Sequence, residues 1–78
     1  MKKVIDLHGI SHEKALVVVE EYLLMNSFGN DLELELITGK SPKLQKKIIE
    51  NILTKYDFNY YIPNHNTGMM YITDTKIN

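Results

Sequence analysis

No cysteine occurs among the 78 residues, which excludes disulfides and thiolate metal sites and makes a reducing cytosol the expected setting. Arginine is missing as well, so every fixed positive charge is carried by lysine. Together with abundant Asn and Ile, that is the composition an AT-rich genome encodes, a viral one included. No linker, repeat or low-complexity stretch interrupts the chain, and no apolar run approaches the ~20 residues that span a bilayer. Only Val4 and Ile5 separate Lys3 from Asp6, too few for the apolar segment of a signal peptide. The expected location is therefore the cytoplasm, with no membrane partner. A chain of this length buries only about 60% of its unfolded surface, so residues 1–74 are expected to form one domain around one small core, and 75–78 a frayed tail.

The net charge of −1 argues weakly against a nucleic-acid binder, but the charges are unevenly placed. No acid lies between Leu36 and Ile49, where Lys40, Lys43, Lys46 and Lys47 fall, whereas Glu20, Glu21, Asp31, Glu33 and Glu35 concentrate elsewhere. A local basic patch on a nearly neutral chain suits contact with a few phosphates. An ordinary solvated helix face would carry the same lysines.

Local patterns place the elements. Lys3 to Leu7 reads as a strand, and Ser11 is a good N-cap for a helix whose Ala15, Leu16, Val19, Tyr22, Leu23 and Met25 follow core-facing spacing up to a stop at Gly29-Asn30. Leu32 to Thr38 alternates cleanly, with Leu32, Leu34 and Leu36 inward and Glu33 and Glu35 outward, so the sheet should have one covered and one open face. Ser41-Pro42 opens a second helix with a stripe of Leu44, Ile48, Ile52 and Tyr56, flanked by Ile49 and Leu53. Phe58–Ile62 and Met69–Thr73 read as two short strands. The order βαβαββ gives an α/β fold, an α+β two-layer sandwich with two helices on one face of a four-stranded mixed sheet.

The segment Asp6-Leu7-His8-Gly9-Ile10 carries the strongest chemical signal. On a strand Asp6 and His8 would share a face, presenting a carboxylate and an imidazole at the C-terminal strand end, where ligands gather in open α/β sheets. The plainer alternative is that Asp6 caps a turn and His8 is a surface residue. A right-handed crossover would set Asp6, His8 and Gly9 beside Thr38, Gly39 and Lys40. The backbone N–H groups of the Gly39 turn and the start of the second helix, with Lys40, Lys43 and Lys47 nearby, would then form a phosphate cradle.

The run Ile5-Asp6-Leu7-His8-Gly9 through Ala15-Leu16 resembles the L-D-L-H-G opening of the Smr (small MutS-related) domain family. Ile37-Thr38-Gly39-Lys40 is similar to the family's T-G-x-G turn, and Asn66-x-Gly68 to its closing N-x-G-x-hydrophobic segment. The second turn glycine is Ser41 here, the following loop is short, and Lys14 stands where members often carry Glu. The resemblance implies a two-layer α/β fold like the C-terminal domain of a bacterial translation initiation factor. It also implies either an endonuclease acting on structured DNA or RNA, in some cases at ribosomes, or a domain that only binds nucleic acid.

These readings converge on acid–base cleavage of a phosphodiester, RNA preferred over DNA, with Asp6 and His8 catalytic. An imidazole exchanges protons near neutral pH, and a carboxylate beside it can orient it. Gly9, His12, Thr38, Gly39, Lys40, Ser41, Lys43 and Lys47 are the expected phosphate or substrate contacts. No cofactor or metal is called for, since a metal pair needs several convergent carboxylates and only Asp6 is obvious. His12 is either the complementary acid or a surface helix residue, and His65 either a substrate contact or solvent-exposed. Gly39-Lys40-Ser41 has the ending of a nucleotide-binding P-loop, but Leu34 occupies the required upstream glycine. Tyr60, Tyr61 and Tyr71 could stack bases or pack in the core. A non-catalytic nucleic-acid or ribosome-binding module is the main alternative, and a protein-interaction module using Met69-Met70 the weaker one.

Overall fold

The computed structural model describes residues 2–26 and 32–73. Strands β1 (Lys2–Asp6), β2 (Glu33–Ile37), β3 (Asn59–Tyr61) and β4 (Met69–Thr73) form one sheet in the order β1-β2-β4-β3. β1 pairs parallel to β2, and β4 pairs antiparallel to both β2 and β3. The expected α+β architecture with a four-stranded mixed sheet is the one observed. The expected stop at Gly29-Asn30 and the tail lie outside the described residues.

Helix α1 (His12–Asn26) begins as its sequence dictates, with the Ser11 hydroxyl oxygen accepting the Lys14 N–H at 3.1 Å, which satisfies one of the N–H groups a helix start leaves open. Ala15, Val19 and Leu23 are fully buried, and Leu16 and Tyr22 pack partly against the same core. Met25 departs from the expectation: it is 70% exposed. Residues four apart define the buried stripe, and Met25 lies two beyond Leu23, about 200° round the helix.

The second helix starts at α2 (Pro42–Ile48), where Ser41 Oγ accepts the Leu44 N–H and Pro42 occupies the first turn. Over Ile49–Leu53 the helix widens, the Thr54 N–H reaching back five residues to Ile49 O, before a last turn, α3 (Thr54–Tyr56). The wider turn lets Ile52 and its neighbour Leu53 both face the core. Asp57, at φ 62°, then reverses the chain, and the Phe58 N–H bonds to Leu53 O at 2.9 Å, the pattern by which helices end on a left-handed residue. The Tyr56 hydroxyl donates to Glu20 Oε2 at 2.6 Å and ties the end of this helix to α1.

The rows Ile5–Leu36–Met70 and Leu34–Ile72 supply the sheet's covered face, against Leu44, Ile48 and Ile52 of the second helix and Val19 and Leu23 of α1. On the other face the register brings Val4, Glu35, Tyr71 and Tyr61 into one row. The Tyr61 and Tyr71 rings stack at 5.0 Å between centroids, with Tyr61 more than half exposed. Glu33 is exposed as expected, whereas Glu35 is only 9% exposed despite facing outward. Its cross-strand neighbours Val4 and Tyr71 flank it on either side, a cover that strand alternation alone does not reveal.

Candidate functional site

β1 ends at Asp6, one residue short of the expected strand. Residues Leu7 to Ile10 form a turn closed by the Ile10 N–H on Leu7 O, with Gly9 at φ 88° in its third position, the type II signature. The Asp6 carboxylate stabilises this turn directly, since Oδ1 accepts the His8 backbone N–H at 2.9 Å. Asp6 therefore grips the His8 backbone, and among the described residues no hydrogen bond joins it to the His8 ring. The alternation that would have set the two side chains on one strand face stops at Asp6.

The parallel pairing of Asp6 with Ile37 brings this turn beside the one that follows β2. A Cβ placed on Gly39, whose φ is 71°, would meet His8 Cδ2 at 3.5 Å. The exposed imidazole thus borders the open space beside Gly39 that a side chain there would occupy. Of the expected site residues, Asp6, His8, Gly9, Thr38, Gly39 and Lys40 share this end of the β1/β2 pair. Lys43 and Lys47 sit one turn apart on the second helix and are exposed, as is Lys40. His12, the first residue of α1, is half-buried, and His65 is exposed in the loop before β4. Neither is hydrogen-bonded to Asp6 or His8 among the described residues.

A third segment completes the site. The Thr38 and Gly39 N–H groups both donate to Gly68 O, at 2.9 and 3.0 Å. Asn66 Oδ1 accepts the Gly68 N–H at 3.1 Å, while its Nδ2 donates to Met69 Sδ. Gly39 and Gly68 meet backbone to backbone: a Cβ on Gly68 would stand 3.3 Å from the Gly39 carbonyl carbon. The buried Thr38 hydroxyl can donate to Gly39 O (2.8 Å) or Gly68 O (3.1 Å).

This interlock alters the expected phosphate cradle. The Gly39 N–H is committed to Gly68 O, the Ser41 N–H to Gly39 O, and the Leu44 N–H to the Ser41 hydroxyl. Positive charge at this end is therefore supplied by the Lys40, Lys43 and Lys47 side chains more than by the Gly39 turn. Among the described residues no group of three or more His, Asp or Glu side chains is gathered where it could hold a metal ion. No helix among them is long and apolar enough to cross a membrane.

Sequence reasoning missed Gln45. It is buried, and its side-chain amide donates one hydrogen to Thr38 Oγ1 at 2.9 Å and the other to Thr67 O at 2.8 Å. The available signal was its position three residues before Ile48 and seven before Ile52, an amide on an otherwise apolar helix stripe. Buried polar side chains must be hydrogen-bonded, so a glutamine on that stripe marks a fixed polar partner. No protein-family model matches the chain, and no curated protein or solved structure matches it.

Proposed function

We propose that this domain is an Smr-type endonuclease that cleaves RNA in preference to DNA, with His8 as the proton-transferring group. The observation that carries the reading is the His8 imidazole, exposed at the β1/β2 strand ends beside the Gly39-Lys40 turn. In RNA the 2′-hydroxyl is a built-in nucleophile. His8 takes its proton as the oxygen attacks the neighbouring phosphorus, the bond to the 5′-oxygen breaks, and that oxygen leaves with a proton drawn from solvent. The products are a 2′,3′-cyclic phosphate and a 5′-hydroxyl. Lys40 offsets the phosphate charge, and Lys43 and Lys47 extend the contact along the backbone. Asp6 is a positioning residue, because its carboxylate fixes the His8 backbone through the Oδ1 bond. Glu33, on the open sheet face, repels a phosphate backbone and directs the substrate to the strand-end edge.

The test is cleavage of end-labelled RNA, matched DNA and a hairpin, with and without EDTA. His8→Ala lowers the rate by about 10²–10⁴-fold, the usual loss for a general base. Asp6→Ala removes the turn bond and lowers it too. Asp6→Asn keeps an oxygen to accept the His8 N–H and retains cleavage. A product carrying a 5′-phosphate overturns the mechanism, and a wild-type rate unchanged by His8→Ala overturns the site.

A second reading draws on the commitment of Asp6 Oδ1 to the turn and on the exposed lysines of the acid-free segment. It is a non-catalytic domain that binds RNA or a ribosomal surface. That reading predicts salt-dependent binding without cleavage in wild type, Asp6→Ala and His8→Ala alike.

A further inference from the structure

The His8 ring makes no hydrogen bond among the described residues, and its Cδ2 lies 3.5 Å from the point where a Cβ on Gly39 would stand. Gly39 therefore bounds the space beside the ring, and a shift of that turn changes the ring's surroundings. Gly39 is in turn held by its N–H on Gly68 O and by the contact of the two glycine backbones. The Gly39 turn and the Gly68 loop belong to chain segments that share no local sequence signal. What binds them from below is Gln45, whose amide hydrogens reach residues 7 and 22 positions away in the chain. Thr38, which receives one of them, is 4% exposed, and Gln45 is 8% exposed, so the bond between them is buried, while the bond to the exposed Thr67 is partly buried.

We infer that Gln45 is a positioning residue of the site: its amide clamps the Thr38-Gly39 turn to the Thr67-Gly68 loop and so sets the placement of the His8 ring and of Lys40. The inference rests on the nuclease reading for its catalytic consequence, though its structural half stands without it. The chemistry is specific to an amide. Glutamate at this position would face the Thr67 carbonyl oxygen with an acceptor, and leucine offers no donor to either partner. Asparagine is one methylene too short to reach both.

The experiment compares wild type with Gln45→Leu by NMR, following the His8 ring resonances and the amides of Gly39, Lys40 and Gly68, and measures kcat and KM on RNA under conditions where both proteins are folded. Thr38→Val, which removes the hydroxyl acceptor at nearly constant volume, serves as the second variant should Gln45→Leu not fold. Ile52→Val, in the core of the second helix, is the control for lost stability alone. The expected result is displaced His8, Gly39 and Lys40 signals in Gln45→Leu and a fall in kcat of about a hundredfold, the cost of misplacing a reacting group by roughly 1 Å, with KM unchanged. Ile52→Val keeps the wild-type ring signals and kcat. Unmoved ring and turn signals in a folded Gln45→Leu overturn the inference, whether or not the protein cleaves RNA. If wild type does not cleave, the nuclease reading fails, and the resonances alone decide the role of Gln45.

Discussion

Replacing Gly68 with alanine tests the close approach of its backbone to Gly39. Gly68 is buried, and a Cβ there stands 3.3 Å from the Gly39 carbonyl carbon and 3.4 Å from both Gly39 Cα and Asn66 Oδ1. Carbon–carbon contacts are most favourable at about 3.5–4.0 Å, so something must give by a few tenths of an ångström. Two of the three opposing atoms are backbone, and that backbone is pinned by the Gly39 N–H on Gly68 O at 3.0 Å and the Ser41 N–H on Gly39 O at 2.8 Å. Overpacking at a rigid site costs about 1–3 kcal/mol. The alanine also narrows the unfolded ensemble, which returns about 0.4–1 kcal/mol. The net expectation is a loss of up to ~2.6 kcal/mol and about 1.3 kcal/mol at mid-range, the latter a fall in Tm of roughly 5–10 °C for a domain of this size. Urea and thermal unfolding followed by far-UV circular dichroism measure it, and an unchanged m-value shows that a shifted midpoint is a change in stability. Because the strain falls on Gly39, the His8 ring resonances should move as well. A Gly68→Ala protein as stable as wild type, with its His8 signals in place, would refute the proposed contact of the two turns.

Two further outcomes follow from the same geometry. Asp57 ends the second helix at φ 62°, where an L side chain is strained and glycine is not, so Asp57→Gly should raise stability by up to ~1 kcal/mol; a loss in urea unfolding would contradict the assignment of that turn. Lys43→Gln and Lys47→Gln should each weaken RNA binding across sequences and reduce the slope of log K against log salt by about 0.7–0.9; an unchanged slope would remove these lysines from the phosphate path.

The elements were legible wherever the determinant was local. Ser11 and the Ser41-Pro42 pair announce both helix starts through a side-chain oxygen and a fixed φ, and the hydroxyl bonds to Lys14 and Leu44 are the ones observed. The Leu-Glu alternation of β2 identifies its covered face correctly because that pattern depends on strand geometry alone. Glu35 faces outward as the alternation indicates, yet it is buried because its cover comes from Val4 on β1 and Tyr71 on β4, partners set by the sheet order. The widened turn at Ile49–Leu53 had no sequence sign, since Ile-Glu-Asn-Ile-Leu suits an ordinary helix equally well. At the site, the neighbourhood of Asp6, His8 and Gly39 was foreseeable from a parallel β1/β2 pair. The Asn66–Gly68 loop joins them because β4 lies beside β2, a long-range pairing that no short motif encodes.

That arrangement shifts what the three landmarks can say about chemistry. Asp6 Oδ1 is bonded to His8 N–H, the Gly39 N–H to Gly68 O, and the Gly68 N–H to Asn66 Oδ1. The Thr38 hydroxyl is bonded within the same interlock. Residues that satisfy one another in this way account for the fold of the strand ends whether or not any reaction takes place there. A binding module and a nuclease built on this frame would need the same Asp, Thr, Gly and Asn. Among the described residues, the side-chain groups that the interlock leaves free at this end include the His8 ring, Asp6 Oδ2 and the lysines that follow Gly39, and a difference in activity is to be sought in them. Lysines alone provide affinity that falls with salt, and a proton must still leave the attacking hydroxyl. His8→Gln isolates that step: it keeps a planar polar side chain beside the Gly39 turn and removes the imidazole that would take the proton. A nuclease loses turnover and keeps its salt-dependent affinity in that variant, and a binding module keeps everything it had.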